Sequence, residues 1–187
     1  MSGEGWLDTA ISGVARRRLT VHADERGAFS EIWRESWTSE LVDEPFVQAN
    51  LSRSRPGVLR GMHFHDVQTD LWILAEGRAT VALVDLRTAS SEPAWTPPSD
   101  VVDLDAGEAL MIPPRVAHGF YAVSELVLVY LVTREFDATD EHGFAWDDPL
   151  AAIPWHVRRP ILSARDRANP SLRVVLAELT QGQSAGA

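Results

Sequence analysis

Histidine and aspartate side chains that could bind a metal ion or move a proton are concentrated in RGMHFHDVQTD, residues 60–70. His63 and His65 are two positions apart, so on a β-strand their side chains would point to the same face. Asp70 follows shortly after them. His63 could take a proton from a substrate as a general base, or it could be one of several ligands to a metal ion. Either chemistry needs these side chains to face an enclosed pocket.

The composition indicates one globular domain. The chain has 187 residues, 45% hydrophobic and 24% charged, which is enough for one substantial core but not for two ordinary domains. The net charge of −10 argues against a nucleic-acid partner, because the phosphate backbone would be repelled. No apolar run is long enough to cross a bilayer and no leader is seen, so we expect a cytoplasmic protein without a membrane partner. The chain has neither cysteine nor lysine, which excludes disulfides, thiolate-metal sites and Schiff-base chemistry.

Short apolar runs separated by Pro, Gly and Ser-Glu breaks predict a β-rich fold. Residues 71–75 and 78–86 have the composition of strands, and Glu76-Gly77 between them predicts a hairpin turn. Further runs follow at VVDL, EALMIPP, HGFYAV and LVLVYLVT. Strands at this spacing are typical of a sandwich or barrel and not of alternating β and α units.

The C-terminal region carries the helical signals. Asn169 could cap a helix that has Pro170 in its first turn. One face of that helix would be apolar, formed by Leu172, Val175 and Leu179. The polar and small residues 181–187 predict a disordered tail after a single domain that spans residues 1–180.

The histidine spacing is similar to the two-part signature of the cupin barrels. In that superfamily two histidines, a carboxylate and a third histidine bind a metal ion, and the matching residues here are His63, His65, Asp70 and His118. Asp70 replaces the usual glutamate. The resemblance implies an all-β fold, a cupin double-stranded β-helix (jelly-roll barrel) with a short C-terminal helical appendage. It also implies one alternative function, a metal-dependent cupin enzyme that binds a divalent transition metal such as Zn, Fe, Ni or Mn and acts on another small molecule.

A narrower resemblance covers nearly the whole chain. The chain resembles the dTDP-4-dehydrorhamnose 3,5-epimerase family, cupins that act on nucleotide-linked 4-keto-6-deoxyhexoses. The segments that carry this resemblance are DERGAFSEIW (24–33), FVQANLSRSRPGVLRGMHF (46–64), LVDLR (83–87), IPPRVAHGFYAVSE (112–125), WDDP (146–149) and LSARD (162–166). It implies an isomerase of deoxysugar or secondary-metabolite biosynthesis. Such an enzyme would epimerise C3, C5 or one of them alone by proton abstraction, without a cofactor.

The resemblance also implies a role for each matching residue. His63 would be the catalytic base, Asp166 its orienting partner, and Arg60 the residue that binds the diphosphate. Six further positions match substrate-binding segments or the pocket wall: Arg26, Glu31, Gln48, Asn50, His118 and Trp146. The family is dimeric with an exchanged N-terminal strand, and RGAFSEIW has the alternation of such a strand. We therefore expect a homodimer that binds a nucleotide sugar.

Several positions depart from the family pattern. The family's pocket lysine aligns with Asp70, whose carboxylate would repel an enolate, and a usual glutamine aligns with His65. The family's acidic tyrosine lies six residues after the aromatic residue that matches Tyr130, and Phe136 at that position has no proton to give. Three alternatives stay open on the sequence alone: an epimerase with restricted chemistry, a metal-dependent enzyme in which His63 would be a ligand and not the base, and a catalytically silent epimerase-like binding protein.

Overall fold

The computed structural model describes residues 5–90 and 94–184, most of which belong to β-strands and the loops between them. The strands are β1 (Leu7–Asp8), β2 (Ala15–Arg18), β3 (His22–Asp24), β4 (Gly27–Phe29), β5 (Gln48–Ser54), β6 (Leu59–Phe64), β7 (Asp70–Glu76), β8 (Arg78–Asp85), β9 (Ser99–Asp105), β10 (Glu108–Ile112), β11 (Val116–Ala122), β12 (Leu126–Val132) and β13 (His142–Gly143). The helices are α1 (Glu35–Thr38), α2 (Ala164–Ala168) and α3 (Leu172–Ser184), and a 3-10 turn covers Ala138–Asp140. Within the described ranges no helix combines the length and the apolar character that a membrane span needs.

Two large antiparallel sheets form the domain. The six-stranded sheet has the order β1-β2-β10-β7-β12-β5, and the five-stranded sheet has the order β13-β6-β11-β8-β9. Most neighbours in a sheet are far apart in sequence, which is the connectivity of a jelly roll. The predicted all-β jelly-roll architecture is therefore confirmed, and α2 with α3 forms the predicted helical appendage.

The inner faces of both sheets are apolar because strand residues alternate between the two faces. Trp72 and Leu74 of the six-stranded sheet pack with Val81, Leu83 and Phe120 of the five-stranded sheet in one buried cluster. A second cluster lies between the outer face of the five-stranded sheet and α3. The strand β11, which carries His118, is thus packed on both faces, and β6, which carries Arg60 and His63, packs against the second cluster.

The Glu76-Gly77 pair does not form the predicted hairpin. β7 belongs to the six-stranded sheet and β8 to the five-stranded sheet, so the chain crosses between sheets at this point. Gly77 has φ of +86°, and a Cβ added there would lie 2.2 Å from the Glu125 carbonyl oxygen. A positive φ and the close backbone approach explain the glycine, and both suit a tight crossover as well as they suit a hairpin.

The C-terminal helix differs from the prediction in its cap and its length. Asn169 ends α2, and the first backbone N–H of α3, that of Leu172, donates to the Asp148 carboxylate at 2.9 Å. An aspartate distant in sequence therefore does the capping. The predicted tail at 181–187 begins too early, because the helical backbone continues through Ser184; residues 185–187 lie outside the described residues.

The β3–β4 hairpin pairs with neither large sheet within one chain. In the RGAFSEIW segment only Gly27–Phe29 is a strand, and Phe29 is 64% exposed. The hairpin is therefore an exposed element, and its Phe29 ring lies beside the His22 ring of the same hairpin.

Candidate active site

A pocket of about 380 Å³ opens between the two sheets. Its wall includes eight of the residues singled out in the sequence: Gln48, Asn50, Arg60, His63, His65, Asp70, His118 and Phe136. Both sheets contribute, since β5, β7 and β12 belong to one and β6 and β11 to the other. The fold thus brings together residues that are far apart in the chain, as in the hydrogen bond from Phe136 N to Gln48 Oε1, which joins residues 88 positions apart.

His63 and Asp166 form the shortest contact to a histidine in this pocket. His63 Nε2 lies 2.6 Å from Asp166 Oδ1. The imidazole is partly exposed to the pocket (24%), whereas the carboxylate is almost fully buried (4%). An ionised carboxylate only accepts hydrogen bonds, so Nε2 of the neutral ring carries the hydrogen and the lone pair stays on Nδ1. That lone pair is what a general base needs.

Local helix geometry positions Asp166. Ser163 is the N-cap of α2, and its Oγ accepts from the Asp166 backbone N–H at 3.0 Å. The same hydroxyl donates to Asp166 Oδ2 at 2.8 Å. Burial on its own would raise the pKa of Asp166, but the hydrogen bonds from His63 and Ser163, with the charges of His63 and Arg165, lower it below its usual value. Asp166 is therefore a fixed, ionised partner for the imidazole.

His65, Asp70 and His118 form a second group, deeper in the pocket. All three are buried, and one potential ligand atom from each lies within 4.8 Å of the others. His63 is not part of this group, so three of the four ligands expected from the cupin signature lie together and the fourth lies apart from them. The physical reason is the Asp166 carboxylate, which holds the His63 ring in its own hydrogen bond.

Burial shifts the protonation of this second group. It raises the pKa of Asp70 to about 6, and the charge of nearby His65 opposes that rise in part. Burial and the charge of His65 lower the pKa of His118 to about 3, so this imidazole is neutral at neutral pH. The group therefore offers neutral imidazole nitrogen and carboxylate oxygen to whatever occupies the pocket.

The polar wall is fixed by hydrogen bonds within the chain. Arg60 Nε donates to Ser54 Oγ at 3.1 Å, which leaves the guanidinium in the pocket wall. Gln48 Nε2 donates to Asn50 Oδ1 at 2.9 Å. Arg60, Gln48 and Asn50 can therefore present charge and amide groups to a polar ligand without first being ordered by it.

Three predicted substrate-binding residues lie outside this pocket. Arg26 pairs with Asp24 on the exposed hairpin, and Glu31 pairs with Arg34 nearby. Trp146 packs beside α3, where its carbonyl accepts the indole N–H of Trp155. The order of motifs along the sequence does not specify whether their side chains line the pocket of the same chain, the pocket of another subunit, or neither. Within one chain, these three positions are not part of the site.

Tyr130 lines the pocket and has a chemistry that the sequence analysis did not assign to it. It lies on β12, in the sheet opposite the one that carries His63. Burial and the negative charges of Asp70 and Glu141 raise the pKa of its hydroxyl, so the phenol stays protonated. Phe136 also lines the pocket but is 67% exposed. The sequence feature that could have identified Tyr130 is its hydroxyl, which is the only polar side-chain group in the apolar run LVLVYLV.

Residues 8–174 match the family described as dTDP-4-dehydrorhamnose 3,5-epimerase. The chain is 38% identical over 152 residues to the spore coat polysaccharide biosynthesis protein SpsL of Bacillus subtilis, covering 78% of this chain and 97% of that protein.

Solved structures of the family also resemble it. The Legionella pneumophila epimerase RmlC, in complex with dTDP-4-keto-L-rhamnose, superposes with a TM-score of 0.82 at 31% identity, over 94% of this chain and 96% of that one. NovW of Streptomyces spheroides, a 4-keto-6-deoxy sugar epimerase from the novobiocin biosynthetic gene cluster, gives a TM-score of 0.81 at 32% identity, over 97% and 92%. The chain therefore belongs to the dTDP-4-dehydrorhamnose 3,5-epimerase family.

Proposed function

We propose that this protein is a nucleotide-sugar epimerase that inverts C3, C5 or one of them alone in a dTDP-4-keto-6-deoxyhexose. The observation that carries the proposal is the His63–Asp166 pair facing a pocket whose wall also holds Arg60. Relatives with the same fold include an enzyme solved with dTDP-4-keto-L-rhamnose and a 4-keto-6-deoxy sugar epimerase from an antibiotic gene cluster. Deoxysugar or secondary-metabolite biosynthesis is the setting that these relatives support.

The chemistry follows from the ketone at C4 of such a sugar. The ketone acidifies the protons at C3 and C5, because loss of either proton leaves the electron pair on the C4 oxygen as an enolate. His63 Nδ1 takes the proton, and Asp166 stabilises the imidazolium that forms. A proton delivered to the opposite face of the carbon then gives the epimer. No oxidation state changes, so the reaction needs no redox cofactor.

Tyr130 is the proton donor on the opposite face. It lies across the pocket from His63, on the other sheet. Its raised pKa keeps the hydroxyl protonated until the enolate forms. This assignment supplies the acid that Phe136 cannot provide.

Tyr130→Phe should allow deuterium exchange at the sugar carbon but block the inversion of its configuration. His63 would still remove and return a proton on its own face, so in D₂O the sugar gains deuterium with its configuration retained. Inverted product should fall by about 10²-fold or more, the usual contribution of a general acid. Proton NMR coupling constants of the recovered sugar report configuration, and the lost signals report exchange. Tyr121→Phe is the matched control, because Tyr121 lies on β11 outside the pocket wall; normal inversion in Tyr130→Phe would contradict the assignment.

A homodimer would complete the site. The β3–β4 hairpin that carries Arg26 pairs with neither sheet of its own chain, and β5 is an edge strand with Leu51 exposed. A second subunit could cover this edge and receive the hairpin, so that Arg26 and Glu31 would reach the other subunit's pocket. Sedimentation should give twice the chain mass of 20.7 kDa, and a monomer at micromolar concentration would contradict this arrangement.

The proposed function is tested by product analysis. The purified protein is incubated with a dTDP-4-keto-6-deoxyhexose, the 4-ketone is reduced chemically, and the configuration at C3 and C5 is read by NMR. We expect sugars inverted at one or both carbons. Unchanged configuration at both carbons after prolonged incubation with a high concentration of the protein would contradict the proposal.

A further inference from the structure

The proton transfer proposed above leaves the deeper group of the pocket, His65, Asp70 and His118, without a role. These side chains are buried, and their three nearest ligand atoms lie within 4.8 Å of one another. His65 Nε2 is 3.7 Å from Asp70 Oδ2, which is longer than a hydrogen bond. The spacing leaves room between the atoms instead of joining them directly.

Backbone carbonyls fix the orientation and tautomer of both imidazoles. His65 Nδ1 lies 2.8 Å from the carbonyl oxygen of Asp140, and His118 Nδ1 lies 2.9 Å from that of Val116. A carbonyl oxygen only accepts, so each ring carries a hydrogen on Nδ1, and the nitrogen that is available to bind an ion is Nε2. Metal-ligating histidines characteristically donate their second ring N–H to a carbonyl or carboxylate in this way.

Three electron-pair donors therefore converge in a buried space. The carboxylate of Asp70 receives a hydrogen bond from the neutral Gln68 amide at 3.2 Å. Burial of a carboxylate beside two lone pairs is unfavourable unless a positive charge joins them.

We propose that His65, Asp70 and His118 bind one divalent transition-metal ion. Two imidazole nitrogens and one carboxylate oxygen suit borderline ions such as Zn²⁺, Co²⁺, Ni²⁺ or Fe²⁺. Three protein ligands leave coordination positions open toward the pocket, as in metal sites that contact a substrate.

This three-ligand site differs from the four-ligand set expected from the sequence, because His63 is held by Asp166. A metal ion and a histidine base can therefore occupy the same pocket. A further role rests on the proposed epimerase function: the ion would neutralise Asp70 and supply the positive charge that stabilises the C4 enolate oxygen. In this role the ion replaces a cationic side chain in a chain that has no lysine.

The binding test uses Co²⁺, whose visible absorption reports its ligands. Protein purified without an affinity tag is stripped with a chelator and titrated with Co²⁺. We expect saturation at one equivalent per chain and a higher Tm in the loaded protein, because the ion binds the folded state. His65→Gln and Asp70→Asn should each weaken binding by about 100-fold or more, with a fold checked by circular dichroism.

His142→Gln is the matched control. His142 belongs to a separate group with Asp66 and Asp140, at a less buried position outside the pocket wall. Co²⁺ binding should be unchanged in this variant. The proposal is overturned if the wild type shows no saturable binding, or if the His142 variant loses binding while His65→Gln keeps it. If Asp70→Asn does not fold, the comparison of Co²⁺ binding between His65→Gln and the wild type tests the proposal.

The catalytic role of the ion is tested separately, by comparing deuterium incorporation into the sugar with stripped and loaded protein. We expect at least about 10-fold faster exchange in the loaded form. Equal exchange in both forms would overturn the catalytic role but not the metal site. Absence of exchange in both forms, with Co²⁺ bound, would count against the proposed epimerase function and leave the site standing.

Discussion

His63→Asn is expected to lower kcat for epimerisation by about 10³-fold, within the range that a general base contributes. Asparagine has similar reach and can still hydrogen-bond to Asp166, but its amide has no basic lone pair. The His63 ring is partly exposed, so its loss should affect the free energy of unfolding much less than the rate. Initial rates followed by NMR, together with a urea denaturation curve, separate the two effects.

His156→Asn is the control for this substitution. His156 lies in the loop near Trp155, away from the pocket wall, and has φ of +53°, a conformation that asparagine tolerates. The control should keep the wild-type rate. If His63→Asn retains a rate within a few-fold of wild type, the base has been wrongly assigned and the His63–Asp166 contact is structural.

Asp166→Asn is expected to lower kcat by about 10²-fold or more, with a smaller change in KM. The ionised carboxylate holds the His63 tautomer that keeps Nδ1 free, and it stabilises the imidazolium. An amide removes that charge and can present an N–H to Nε2, which would place the hydrogen on Nδ1. Separate measurement of kcat and KM tests this, because a merely structural role would not act selectively on kcat.

The same substitution has a pH signature in stability. The folded-state pKa of Asp166 is lowered, so its ionised form stabilises the fold at any pH above its unfolded pKa of about 3.9. That contribution is lost as the pH falls through the lower folded-state value. The deficit of Asp166→Asn relative to wild type should therefore be full at pH 7 and shrink below about pH 4. Urea unfolding at several pH values measures it.

Ser163→Ala provides the comparison for Asp166. It removes the N-cap of α2 and one hydrogen bond to the carboxylate, but it leaves the His63 contact. We expect a loss of about 1 kcal/mol in the free energy of unfolding and a rate within several-fold of wild type. If Ser163→Ala lowers kcat as much as Asp166→Asn does, the position of α2 matters more than the charge of Asp166.

The sequence was sufficient for the fold class because strand alternation and turn residues are local signals. It could not distinguish a hairpin at Gly77 from a crossover between sheets, since both use the same backbone conformation. The sequence also predicts the wrong cap for α3, Asn169, because sequence patterns identify only caps that are close to the helix in the chain. The group that does the capping, Asp148, is distant in sequence from the helix that it caps.

Some residues of the candidate site could be predicted from the sequence and others could not. The pairing of His63 with Asp166 follows from motifs whose spatial relation is set by the barrel, and the structure places them in contact. The sequence does not assign a catalytic role to Tyr130, which lies in an apolar run, and only the opposition of the two sheets makes its hydroxyl a candidate acid. Arg26 and Trp146 have matching sequence positions but lie away from the pocket of their own chain.

Solvent deuterium incorporation tests most directly whether His63 removes a proton beside the ketone. The wild-type protein and His63→Asn are incubated in D₂O with a dTDP-4-keto-6-deoxyhexose, and the signals at C3 and C5 are followed against a sample without protein. Rapid deuterium entry at one or both carbons, restricted to the wild type, is the predicted result. A wild-type sugar that stays fully protonated, or equal entry with His63→Asn, would contradict proton abstraction by this imidazole.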